Sequence, residues 1–174
     1  KHGNKQNFDY TRSGNPNFKI LENILRSIED SKYCTVFGSG ISAVTAITST
    51  LKSGDKILCE SNLYGCTVRM FDKVFKKFRI EALYTDFTDK KSIKKIKDFQ
   101  PTLIWLESPT NPLLKILDIK LICEEANKHK IPVVLDNTFS TALIQKPLEL
   151  GATLSLISTT KFINGHSDAL GGAV

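Results

Sequence analysis

No apolar run in this 174-residue chain approaches the ~20 consecutive residues that a membrane-spanning helix needs, so no transmembrane segment is expected. The opening residues, Lys1 to Gln6, are polar and lead into no apolar signal core, so nothing directs export. Cysteines are few: Cys34, Cys59, Cys66 and Cys123, with no C-x-x-C pair among them. Neither a disulfide framework nor a metal site is expected, and a reducing, cytoplasmic setting is the default. Internal repeats, low-complexity tracts and linkers are also missing.

Acidic residues are outnumbered, and the formal net charge of +6 invites a nucleic-acid reading. Much of the excess, however, sits in Lys90, Lys91, Lys94, Lys95 and Lys97, with Ile93 and Ile96 facing the other way. That pattern is an amphipathic helix showing lysines to water. No aromatic platform or nucleic-acid motif accompanies it, so no nucleic-acid partner is expected.

What is present is alternation. Hydrophobic residues make up 41% and charged residues 24%, a composition that fits a soluble globular domain. Asn15-Pro16 reads as a helix cap and first helical residue, with Phe18, Leu21, Leu25 and Ile28 along one face behind it. Strands are predicted at Thr35–Phe37, Lys56–Cys59, Ile80–Tyr84, Thr102–Leu106, Pro132–Leu135 and Leu154–Ile157. Between them lie helices through Ala43 to Leu51, Val68 to Phe78, the lysine-rich stretch, and Ile119 to Ala126. Runs such as Thr102-Leu103-Ile104-Trp105-Leu106 do not alternate in and out, which suits strands buried on both faces. The fold class is therefore α/β, a mostly parallel open sheet with helices on both faces.

Open α/β sheets bind ligands at the carboxyl ends of their strands. Here those ends read Gly38-Ser39-Gly40, Glu60-Ser61-Asn62, Glu107 to Asn111, Asp136-Asn137-Thr138 and Ser158-Thr159-Thr160-Lys161. All of these polar groups are expected along one edge, although capping alone explains each of them singly. Lys161, directly after a buried strand and followed by Gly165-His166-Ser167-Asp168, carries the most chemistry. A primary amine in a partly desolvated pocket can form a Schiff base with an aldehyde, and hydroxyls at Ser158 and Thr160 suit a phosphate. The plain alternative is a surface lysine.

From Tyr10 to Gly172 these motifs resemble, in order, those of the Cys/Met-metabolism family of pyridoxal 5'-phosphate enzymes. The resemblance implies an aspartate-aminotransferase-like (fold type I) large domain. It makes Lys161 the cofactor lysine and proton shuttle, and pairs Asp136 with the protonated pyridine nitrogen, keeping the ring an electron sink. Ser39, Gly40 and Ile41 become the phosphate cup at a helix N-terminus, where the family usually shows Met-Ala-Ala after the glycine and this chain has Ile41-Ser42-Ala43. Tyr64 stacks on the ring and assists loss of the γ-substituent; Asn111 contacts the ring hydroxyl; Ser158 and Thr160 assist the phosphate. Tyr10 and Arg12 reach into the neighbouring subunit and hold its phosphate, which implies a homo-oligomer, a dimer of dimers, with shared active sites.

The division implied is a partner-contacting segment over 1–30 and a cofactor-binding large domain over 31–174, cut short before a smaller C-terminal domain. That domain would supply the arginine that clamps the substrate's α-carboxylate. A further strand is expected at Gly171–Val174, and a piece ending there is expected to be unstable or aggregation-prone. The activity implied is trans-sulfuration on small amino-acid substrates. The leading expectation is γ-replacement on an O-acylhomoserine by cysteine, as in cystathionine γ-synthase. Cystathionine γ-lyase, methionine γ-lyase (which Cys66 slightly favours) and O-acylhomoserine sulfhydrylase are alternatives, as is an inactive fragment that only mediates assembly.

Overall fold

Five short strands with almost no polar alternation form the centre of the protein. In the computed structural model, which describes residues 8–174, they are β2 (Lys56–Glu60), β3 (Glu81–Thr85), β4 (Leu103–Glu107), β5 (Val133–Asp136) and β6 (Leu154–Leu156). The expectation about Lys1–Gln6 lies outside the described residues. Every neighbouring pair is parallel and the order across the sheet is β3-β2-β4-β5-β6. All residues of β4 and β5 are buried, as expected for strands covered on both sides.

Side chains of a strand alternate between faces, and the register assigns each to a layer. Leu58, Ile104, Leu106, Val133 and Leu135 pack on one face against Ile96 of α4 (Lys94–Phe99) and Ile119, Ile122 and Ala126 of α5 (Ile119–Lys128). Ile57, Cys59, Leu103, Trp105, Val134 and Leu156 pack on the other, against Ala43, Val44 and Ile47 of α2 (Gly40–Thr48) and against Phe71 and Phe75. Helices thus cover both faces. At 25 cal/mol per Å² or so, burying each such aliphatic side chain contributes about 1.5–3 kcal/mol. Among the described residues, no helix is long and apolar enough to cross a membrane.

Several local expectations are corrected. Helix α1 (Pro16–Glu29) starts as read, with the Asn15 side chain accepting from Asn17 N–H at 2.8 Å, but only Leu25 of its apolar face is buried; Phe18 and Leu21 are exposed. The helix expected from Val68 to Phe78 is broken: α3 (Gly65–Arg69) runs into a π-helical turn (Met70–Val74) and a 3-10 turn (Phe75–Phe78). The wide turn shifts the helical phase, so Phe71 and Phe75 stay buried while Phe78 is 60% exposed. Leu51 falls beyond the end of α2. The lysine-rich stretch faces water as expected, although a 3-10 turn (Lys90–Ile93) precedes α4.

A short helix, α6 (Thr141–Ile144), follows β5. The strand expected at the end of the sequence forms as β7 (Gly172–Ala173), but it pairs antiparallel with β1 (Val36–Phe37), not as a sixth member of the parallel sheet. One bridge, Ile157 to Ala173, ties this two-stranded ladder to the end of β6.

Candidate active site

The register places Glu107, Asp136 and Leu156 side by side, on the same face of the sheet as Trp105 and Val134. These three side chains form the floor of a cavity of about 420 Å³ at the carboxyl ends of the strands. Helix α2 supplies one wall through Ser39, Gly40 and Val44, and the start of α3 supplies another through Tyr64 and Thr67. Asn111 comes from the loop after β4, and Ser158, Thr160 and Lys161 from the loop after β6. Of the residues singled out from sequence, Ser39, Gly40, Tyr64, Asn111, Asp136, Ser158, Thr160 and Lys161 therefore meet around one space.

Three others do not line it. The Ile41 side chain packs against the core, leaving only its backbone N–H, in the first turn of α2, available to the cavity edge. Tyr10 and Arg12 lie outside it, with the Arg12 guanidinium 5.1 Å from the centre of the Tyr10 ring. Glu60 also departs from the expectation of one polar edge. It points to the opposite face, where its carboxylate accepts from Phe87 N–H at 2.9 Å and Asn62 N–H at 3.0 Å.

Local chemistry explains each position. The Ser39 hydroxyl caps α2 by accepting from Ser42 N–H at 3.1 Å, so the first N–H groups of a nine-residue helix open toward the cavity. Gly40 is required by packing: a Cβ there would lie 2.8 Å from the Ser158 Cβ. Asp136 is buried, and its Oδ1 accepts both the backbone N–H of Thr138, at 3.0 Å, and the Thr138 hydroxyl. Its Oδ2 has no hydrogen bond among the described residues. Burial raises the Asp136 pKa, and the two Thr138 donors pull it back. Thr160 bonds the Gly171 backbone in both directions, at 3.0 and 3.2 Å. Lys161 is exposed at the rim, so the desolvation expected around it is not provided by the described residues.

Sequence reading missed the part played by Glu107 and Thr67. Glu107 is 4% exposed, and its Oε2 accepts from Tyr64 N–H at 2.7 Å. Burial, and then the Asp136 carboxylate, push its pKa up to about 8. Thr67 Oγ1 is buried with no partner among the described residues. A strand-end glutamate was visible in the sequence; its pairing with Asp136 was not. Within α3, the Arg69 guanidinium donates to the Cys66 sulfur at 3.0 Å.

These residues fit an aromatic cofactor bearing a phosphate and an aldehyde. The open end of α2 and the nearby hydroxyls suit the anion, the unpaired Asp136 Oδ2 suits a cationic ring nitrogen, and Lys161 offers a primary amine. Fold and site together are those of an α/β domain that binds its cofactor at the carboxyl ends of a parallel sheet.

The comparisons specify which. The chain belongs to the family of Cys/Met metabolism PLP-dependent enzymes, whose sequence pattern matches residues 1–174. It is 41% identical to cystathionine gamma-lyase of Rattus norvegicus over 173 residues, covering 99% of this chain and 44% of that protein. It is 39% identical to the probable cystathionine gamma-synthase of Herpetosiphon aurantiacus, covering 99% of this chain and 54% of that one. The crystal structure of cystathionine gamma synthase from Xanthomonas oryzae pv. oryzae in complex with cystathionine superposes with a TM-score of 0.93 at 39% identity, over 99% of this chain and 45% of that one. The chain spans about half the length of the relatives it matches. Proteins of both synthase and lyase type stand among them, so family and cofactor are defined while the particular reaction is not.

Proposed function

We propose that this chain forms the cofactor-binding part of an enzyme that exchanges the γ-substituent of an O-acylhomoserine for cysteine, the reaction of a cystathionine γ-synthase. One observation carries the reading: an amine, a buried carboxylate with a free oxygen, a phenol and an open helix N-terminus share a single cavity at the sheet edge. Pyridoxal phosphate, when bound, supplies an electron sink for charge developing at the substrate's α-carbon.

The protein's residues do the rest. Asp136, with one oxygen fixed by Thr138, would hold the protonated ring nitrogen through Oδ2. The N–H groups of Gly40 and Ile41, with the Ser158 hydroxyl, would receive the phosphate, and Thr160, whose hydroxyl is held by the Gly171 backbone, would have to release that bond to join them. Asn111 orients the ring from the side. Lys161 Nζ would take a proton from the substrate's α-carbon and then one from its β-carbon, so that the γ-group can leave, and would return one to each carbon after the thiol adds. Hydrogen bonding with Cys66, and then burial, raise the Tyr64 pKa, so its hydroxyl keeps a proton for the departing γ-group. Tyr10 and Arg12, away from this cavity, are assigned to the phosphate of a second copy, which makes the working enzyme a homo-oligomer in the cytoplasm.

A second reading, γ-elimination as in cystathionine γ-lyase, is favoured by the lyase relatives and uses the same early proton transfers. The test is a visible absorbance spectrum of the protein with pyridoxal phosphate, wild type beside Lys161→Ala. A band present only in the wild type, and a covalent label at Lys161 after borohydride, are expected. Absence of both in the wild type overturns the site. Product analysis with an O-acylhomoserine and cysteine then separates the reactions: cystathionine supports replacement, and a keto acid with ammonia supports elimination.

A further inference from the structure

We infer that Glu107 is a positioning residue of this site, the proton-bearing member of a carboxyl pair with Asp136, and that it ties the Tyr64 backbone to the wall that receives the cofactor ring. The inference rests on the cofactor reading above for the identity of the ring, but the pair itself is a property of the protein. Glu107 and Asp136 are the last residues of adjacent parallel strands and are partners in register. Both are buried and both line the same cavity.

With no cation between them, ionising one of two buried carboxylates so placed opposes ionising the other. The groups facing Glu107 are few. Asp136 comes from β5, the Tyr64 phenol from the start of α3, and Lys161 from the loop after β6; α2 contributes no titratable group to the cavity. Neither carboxylate makes an ion pair among the described residues. One proton therefore stays with the pair.

Hydrogen bonding decides which side holds it. Asp136 Oδ1 receives two donors, and the hydroxyl among them is oriented, because Thr138 Oγ1 already accepts from Ser158 N–H at 2.9 Å. That hydroxyl must donate to Asp136 and so favours its ionised form. Glu107 receives the Tyr64 N–H on Oε2; the nearby Asn111 amide also favours its ionised form, but burial and the Asp136 charge outweigh both. Burial raises both acids; on Asp136 the two Thr138 donors oppose that rise, and on Glu107 the Asp136 charge adds to it. A neutral Glu107 leaves the single negative charge on Asp136, opposite the ring nitrogen. The same side chain fixes the backbone from which the Tyr64 phenol projects.

Infrared spectra of the cofactor-free protein test the proton's location. The wild type minus Glu107→Gln difference at pH 7 is expected to contain the carbonyl stretch of one protonated carboxylic acid, lost above about pH 8. A difference showing only a carboxylate band overturns the inference. Affinity for pyridoxal phosphate gives a second readout. Glu107→Gln, which keeps a neutral acceptor for Tyr64, is expected to weaken binding about threefold, and Glu107→Ala about tenfold or more. If Glu107→Gln loses the cofactor as fully as Asp136→Ala, charge on Glu107 is needed and the inference fails. A wild type that binds no pyridoxal phosphate refutes the cofactor reading instead, while the infrared result still decides the pair.

Discussion

Thr138 binds Asp136 twice through one oxygen, with its backbone N–H at 3.0 Å and with its hydroxyl, and Ser158 N–H in turn holds that hydroxyl at 2.9 Å. The link joins the turns after β5 and β6, so the carboxylate and the lysine loop are positioned together. Thr138→Val removes the hydroxyl and leaves Ser158 N–H without its acceptor. Losing a hydrogen bond to a charged group costs about 1.5–3 kcal/mol, so pyridoxal-phosphate affinity is expected to fall roughly ten- to hundredfold. Fluorescence titration checks this, and Thr138→Ser, which keeps the hydroxyl, should recover most of the loss.

Gly40 meets Ser158 where the first turn of α2 crosses the lysine loop. A Cβ on residue 40 would sit 2.8 Å from the Ser158 Cβ, so Gly40→Ala must push one of them aside. Overpacking of this kind costs about 1–3 kcal/mol. The expected result is a lower denaturant midpoint together with weaker cofactor binding. Adding Ser158→Gly should restore the midpoint, and purely additive losses would show that the contact is not the cause.

Glu107 predicts a pH dependence of stability with a definite sign. Its pKa rises from 4.5 to about 8 on folding, so the unfolded chain loses this proton first as pH increases. The favourable contribution is complete below pH 4.5 and is lost as pH climbs through about 8. Each pH unit in that window is worth up to about 1.4 kcal/mol. Urea unfolding of the cofactor-free protein should show stability decreasing from pH 5 to pH 8, and the slope should shrink in Glu107→Gln.

Cys66 should be the first thiol to react. The Tyr64 hydroxyl, and then the Arg69 guanidinium, lower its pKa, whereas burial raises Cys34 to about 11 and Cys123 to about 12, and puts Cys59 well above the ordinary thiol value. Alkylation mapped by mass spectrometry at pH 7 should therefore label Cys66 ahead of the others. Arg69→Ala should slow that labelling several-fold, and equal labelling of Cys34 would contradict the assignment.

The legible parts of this molecule were those set by local pattern. β4 could be read because Leu103 to Leu106 are apolar without alternation, and the start of α1 because Asn15-Pro16 suits a cap and first turn. The π-helical turn at Met70–Val74 was hidden, since no glycine or proline marks it and phenylalanines spaced by four fit an ordinary helix. Asp136 was found because it ends a strand, and Lys161 because it follows one at the head of a recognisable motif. The Glu107 pairing was not, because it depends on registration between β4 and β5, which no short window of sequence contains. The exposed face of α1 has the same origin: spacing identifies an apolar stripe but not what covers it.

That registration also governs which changes of length the molecule can absorb. Strand side chains have a period of two, so sliding β5 by one residue against β4 would turn Asp136 into the layer of α5 and bring a leucine or an asparagine to the cavity floor. One deleted codon inside Val133–Asp136 would erase the acid without altering a single loop. Insertions before Val133, in the turn at His129–Pro132, would leave the floor as it is. The floor of this site is thus stored as a phase relationship between strands, and a lineage can vary the connections at the far end of the sheet while the count of residues within β4 and β5 stays fixed.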